Sequence, residues 1–95
     1  AIINILKPVD ALKGTFKYGE NVKYEFDGKG SGAMYDSGTE YKYTYIIEGD
    51  TLKIDFKPEN IYDATYTFKI ESNTLTLIGR EGTTGGEYLL EKENN

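Results

Sequence analysis

Tyr41-Lys-Tyr-Thr-Tyr-Ile-Ile-Glu-Gly-Asp-Thr-Leu-Lys-Ile-Asp-Phe56 alternates large apolar side chains with polar ones, breaks at Gly49-Asp50, and alternates again. Period-two patterning on both sides of a two-residue break is the mark of two antiparallel strands joined by a hairpin turn. With Gly49 and Asp50 as the turn, Glu48 faces Thr51, Ile47 faces Leu52, Tyr45 faces Ile54 and Tyr43 faces Phe56. The rings and aliphatic chains then share one face. A slip of one residue would turn all of them to the other side, so their agreement sets the register.

The same hairpin is written twice. Thr44-Tyr-Ile-Ile-Glu-Gly-Asp-Thr-Leu-Lys-Ile54 is echoed 23 residues later by Thr67-Phe-Lys-Ile-Glu-Ser-Asn-Thr-Leu-Thr-Leu77. Ser72-Asn73 is thereby a second two-residue turn. Two copies are too few for a solenoid, which needs three or more stacked units. Between the copies, Lys57-Pro58-Glu59-Asn60 reads as a turn, because Pro58 has no N–H to give to a central ladder. The strand after it is expected over 61–71, with Tyr62, Ala64, Tyr66, Phe68 and Ile70 inward.

Toward the N-terminus, Ser31 to Asp36 is the weakest strand by composition, yet two turns phase it independently. Ser37-Gly38 pairs Met34 with Tyr41 and Gly32 with Tyr43, and the Gly28-Lys29-Gly30 loop pairs Phe26 with Gly32 and Tyr24 with Met34. Both put Gly32 and Met34 inside, and a glycine opposite a tyrosine leaves space for the ring. Leu12 to Tyr18 and Val22 to Asp27 form the first pair around Gly19-Glu20-Asn21, with Tyr18 facing Val22 and Phe16 facing Tyr24. Arg80 to Gly86 reads as a flexible connection, and Glu87 to Lys92 closes the chain with Tyr88 and Leu90 inward.

The sum is an all-β, eight-stranded antiparallel up-and-down meander. Left open, it would expose two edges and an apolar face, so it is expected to close as a small barrel or else to fold over as a two-sheet sandwich. The domain is placed at residues 12–92, with an apolar segment at 1–11 and a polar tail at 93–95. In the first segment Ile2, Ile3, Ile5 and Leu6 form a cluster that stops at Pro8. It reads either as an arm laid over an apolar surface or as a frayed start.

Composition narrows the function. Ninety-five residues form one domain with room for one site. The net charge of -5, with Arg80 the sole arginine and the lysines scattered, argues against a nucleic-acid partner. No apolar run approaches the ~20 residues of a membrane span. With no Cys and no His, disulfides, thiolate nucleophiles, imidazole bases and ordinary zinc sites are excluded. The chain opens at Ala1 with no Met and no basic-hydrophobic signal. Any export signal or lipid-attachment segment is therefore expected to have been removed already, which leaves a lipid anchor open.

Leu12-Lys-Gly-Thr-Phe16, ahead of a β-meander and behind a short apolar segment, resembles the Gly-x-Trp opening of the lipocalin and calycin barrels, with Phe16 at the Trp position. The Glu-Gly-Asp-Thr-Leu-Lys-Ile and Glu-Ser-Asn-Thr-Leu-Thr-Leu hairpins resemble the small lipocalin-like domains of secreted proteins and lipoproteins from Gram-positive and gut bacteria, a group largely without assigned function. The resemblance implies a lipocalin-like barrel, an extracytoplasmic location and a ligand.

The aromatic inner face is the one unusual feature. Tyrosines 18, 24, 41, 43, 45, 62, 66 and 88 and all four phenylalanines point inward, leaving Tyr35 outside. A buried tyrosine hydroxyl without a partner costs about 1–3 kcal/mol, so these hydroxyls must meet one another, backbone, carboxylates or water. That leaves two readings: a filled core with hydroxyls at the rims, or a pocket for a small hydrophobic or aromatic ligand. The ligand face is assigned to Tyr24, Met34, Tyr41, Tyr43, Tyr45, Tyr66 and Phe68.

Other motifs are ordinary. Asp27-Gly-Lys-Gly-Ser-Gly32 lacks the Lys-Ser/Thr ending of a phosphate loop and the spaced acids of a calcium loop, and reads as a hairpin turn. Asp55 and Asp63 fall on adjacent outward positions and read as solvated charge. Outward Ile46, Ile61, Ile78 and Leu89 would mark a partner surface only if they cluster. The expectation is a monomeric, exported, non-enzymatic domain without cofactor or metal. It either holds a small hydrophobic ligand or serves as a structural or protein-contacting unit with a filled interior.

Overall fold

Gly49 adopts φ 62° at the head of the central turn, and Glu48–Thr51, Ile47–Leu52, Tyr45–Ile54 and Tyr43–Phe56 face each other across it as the alternation requires. The computed structural model describes residues 10–93. Its strands are β1 (Gly14–Tyr18), β2 (Val22–Phe26), β3 (Ser31–Asp36), β4 (Thr39–Glu48), β5 (Thr51–Phe56), β6 (Ala64–Glu71), β7 (Thr74–Gly79) and β8 (Glu87–Lys92). Each pairs antiparallel with the next, and β8 returns to β1, so the meander is a closed barrel rather than a sandwich. Among the described residues no helix is long and apolar enough to cross a membrane.

The closing seam is short. Phe16 faces Lys92 and Lys17 faces Glu91, and the Glu93 N–H donates to the Thr15 carbonyl at 2.8 Å. Glu93 thus belongs to the barrel rather than to the tail. At the other terminus Asp10 is likewise tied in, its N–H donating to the Gly28 carbonyl at 3.0 Å. The apolar cluster Ile2 to Leu6 lies outside the described residues.

Two sequence expectations are corrected. The strand expected over 61–71 begins only at Ala64. Ile61 N–H donates to the Pro58 carbonyl at 3.2 Å, and that turn reverses the inside-outside parity just before the strand. Ile61 therefore packs against the core and Tyr62 is 86% exposed, the opposite of the expected placement. The connection from Arg80 to Gly86 is anchored rather than loose. Thr65 donates to the Glu81 carbonyl and accepts from Arg80 N–H, at 2.9 and 2.8 Å, so this connection prolongs the ladder beside β6.

The core gathers around Phe26. Its ring meets Tyr45 at 5.1 Å and Phe16 at 6.0 Å, both edge to face, and Tyr43 at 5.6 Å. Leu12, Leu52, Ile54, Leu75 and Leu90 are sealed around these rings. Each such side chain contributes roughly 1.5–3 kcal/mol by leaving water.

Candidate functional site

Odd-numbered connections of an up-and-down meander gather at one end of the barrel and even-numbered ones at the other. At the even end the interior is filled. Leu12 sits wholly buried on a turn ahead of β1, held because its N–H donates to Asp10 Oδ1 at 2.9 Å. Asp10 Oδ2 accepts from the Tyr45 hydroxyl at 2.7 Å, and that hydroxyl accepts from Gly28 N–H at 3.0 Å. Burial pushes the Tyr45 phenol up, and the bond to Asp10 adds to it. Next to it, the Tyr43 hydroxyl donates to the Glu25 carbonyl at 2.6 Å. Burial, reinforced by neighbouring Tyr24 and Tyr45, raises its phenol well above the usual tyrosine range. Tyr43 and Tyr45, expected on a ligand face, are therefore satisfied core residues.

At the odd end the interior is not filled. A cavity of about 250 Å³ lies there, walled by the rings of Tyr18, Tyr24, Tyr66 and Tyr88. Val22, Met34, Leu77 and Leu90 supply its aliphatic surface. Tyr18 and Val22 flank the β1–β2 loop and Tyr88 follows the β7–β8 connection, so these residues form the rim. Tyr18 is 43% exposed. The Tyr18 and Tyr88 rings meet at 5.6 Å with their planes 80° apart, making a corner rather than a flat platform.

The Tyr88 hydroxyl donates to the Gly85 carbonyl at 2.9 Å, and the Tyr24 and Tyr66 phenols lie close enough to act on each other's ionisation. Burial first, then the neighbouring Tyr66 and Tyr88 phenols and Asp36, raises Tyr24 far above its ordinary value. Burial likewise raises Tyr66. The Tyr24 and Tyr66 phenols are thus neutral in the physiological range.

Of the seven residues assigned to the ligand face, the structure brings Tyr24, Met34 and Tyr66 together. Tyr41 and Phe68 are half-buried against the core and do not line the cavity. Tyr18, Val22, Leu77, Tyr88 and Leu90 complete the lining and were not assigned. Their signal was positional: inward residues next to the odd-numbered loops share one end of a barrel.

Elsewhere the chemistry is sparse. Asp55 and Asp63 meet in the open on the outer face, where the hydrogen bond that protonated Asp55 gives to Asp63, and then the Asp63 charge, raise the Asp55 carboxyl. Among the described residues no group of three or more acids is placed to hold a metal ion. Ile46 is separated from Ile78 by β5 and β6, which carry Lys53, Thr65 and Thr67 between them. With Ile61 turned inward, the four outward apolar residues do not form one patch.

The chain belongs to DUF5640, a family of unknown function, whose model matches residues 10–91. No curated protein and no solved structure matches it.

Proposed function

We propose that this DUF5640 chain is a lipocalin-like, non-enzymatic binding domain of an exported protein, holding a small hydrophobic or aromatic molecule in the tyrosine-walled end of its barrel. The observation that carries this reading is the asymmetry of the interior. The even end is packed and hydrogen-bonded, whereas the odd end keeps about 250 Å³ open behind a rim that includes a half-exposed tyrosine. Concave, mostly apolar space with a few convergent polar groups is the usual form of a small-molecule site. An apolar cavity of ~150 Å³ accepts benzene, so this one suits a ligand of about ten heavy atoms. Export and a possible lipid anchor rest on the resemblance to secreted lipocalin-like domains.

The alternative, a protein-contacting unit with a filled core, draws no support from Ile46, which β5 and β6 separate from Ile78 and Leu89. Native mass spectrometry of protein purified from its source tests the proposal. A bound small molecule is expected, and it should be lost in Met34→Trp, which fills the cavity from β3. An unliganded mass, together with no NMR response of the Met34 methyl to a set of small aromatic compounds, would overturn it.

A further inference from the structure

Four tyrosine rings surround a cavity to which no lysine or arginine contributes, on a chain of net charge -5. We infer that the ligand is a small quaternary ammonium compound, its trimethylammonium head seated among Tyr18, Tyr24, Tyr66 and Tyr88. The inference rests on the ligand-binding reading above and names the chemical class that this site would take.

Charge sign comes first. An anion entering the cavity would meet four tyrosines and no cationic side chain in its lining, and Asp36 lies near enough to act on the Tyr24 phenol. A cation gains from the same surroundings, most strongly where water is excluded. The corner formed by Tyr18 and Tyr88 lets two ring surfaces meet one rounded group, which a flat aromatic ligand would not need.

The type of cation follows from the hydrogen bonds. A primary ammonium brings three N–H donors that require acceptors. No carboxylate lines the cavity to pair with it, and the Tyr88 hydroxyl is already turned to the Gly85 carbonyl. Burying so strongly hydrated a group without a carboxylate costs more than burying a methylated nitrogen, which has no N–H donors to satisfy. Methyl groups pack instead against Val22, Met34, Leu77 and Leu90.

Choline and 3,3-dimethyl-1-butanol have nearly the same shape and differ in carrying N⁺ or carbon at the branch point. Titration of the whole domain with each, followed by NMR at the Met34 methyl and the tyrosine rings, separates charge from shape. Choline is expected to bind about tenfold tighter or more. Tyr88→Leu should erase that preference, whereas Tyr88→Phe, which keeps the ring, should retain it. If Tyr88→Leu does not fold, Tyr18→Leu at the exposed rim provides the same comparison. Equal affinity, or tighter binding of the neutral alcohol, would overturn the ammonium assignment and leave the binding proposal standing. No response to either compound, with no response to small aromatic compounds, would remove both.

Discussion

The ring of Tyr43 lies directly over Gly32, so that a Cβ at position 32 would fall 2.8 Å from Tyr43 Cε1 and also strike the Glu25 carbonyl. That carbonyl accepts the Tyr43 hydroxyl at 2.6 Å. One missing methyl on β3 thus admits both a buried ring and the bond that satisfies its hydroxyl. Gly32→Ala is expected to destabilise the domain by about 1–3 kcal/mol, since the obstruction includes backbone as well as a side chain. Urea denaturation checks this. A loss below a few tenths of a kcal/mol would mean that β2 and β3 yield freely at this point.

Tyr45 links the turn before β1 to the loop after β2 by accepting from Gly28 N–H and donating to Asp10. Tyr45→Phe leaves a buried N–H without its acceptor and takes the donor from Asp10 Oδ2, while Oδ1 keeps the Leu12 N–H. A loss of about 1–3 kcal/mol is expected, with the denaturant slope unchanged. Hydrogen exchange should accelerate at Leu12 and Gly28 while the β6–β7 hairpin keeps its protection. Uniform acceleration would show that the latch is not a local device.

Alkaline titration probes the interior as a whole. Burial raises Tyr24, Tyr43, Tyr45 and Tyr66 above the ordinary 10.0. Unfolded tyrosines release protons first, so stability is intact below pH 10 and falls as pH climbs above it. Phenolate absorbance near 295 nm should therefore rise together with the loss of β-sheet circular dichroism. Tyr35 is the exception: it is exposed and is pushed up to about 12 by its hydrogen bond to Glu40, so its late titration should vanish in Tyr35→Phe without altering the unfolding. Ionisation of all nine tyrosines with the sheet signal intact would contradict this burial pattern.

The two echoed hairpins differ at one informative position. Gly49 holds φ 62° at no steric cost, while Ser72 holds φ 53° with a side chain attached. Left-handed backbone costs a non-glycine residue about 1–2 kcal/mol, partly offset by the ~0.4–1 kcal/mol of extra unfolded-state freedom that glycine carries. Ser72→Gly should therefore stabilise the domain and raise Tm by roughly 2–8 °C. An unchanged or lower Tm in calorimetry would show that this turn stores no strain.

Strand pairing was legible because short turns fix the registers on both sides. Gly32 is phased by Ser37-Gly38 and again by the 28–30 loop, and the two agree with its observed partners Phe26 and Tyr43. Which end of the barrel stays open was not legible. Period-two alternation says that Tyr24 and Tyr45 both face inward, but not that Tyr24 borders the open end and Tyr45 the latched one. That depends on strand tilt and on where Leu12 and Asp10 are seated, which no local pattern encodes. Tyr62 was misplaced for a different reason. A proline turn that carries Ile61 into the core changes parity, and the inward set then begins at Ala64. Thr65's bonds to the 80–86 connection were equally invisible, being backbone pairs outside any apolar pattern.

The same shortened strand carries the last prediction. The β5–β6 ladder ends at Ile54 and Ala64, and the next facing positions are Asp55 and Asp63. Like charges directly opposite each other oppose pairing, and the Asp55 carboxyl is raised first by its hydrogen bond to Asp63 and then by that neighbour's charge. A carboxyl raised in the folded state adds stability below the ordinary aspartate range and loses it as pH rises through the higher value. Asp63→Asn should therefore be more stable than the parent at neutral pH, with the difference fading as both are acidified. If the repulsion is also what stops the ladder, Asp63→Thr should slow amide exchange around positions 55 and 63. Parallel pH–stability curves for parent and Asp63→Asn would show that Pro58 alone sets where β6 begins.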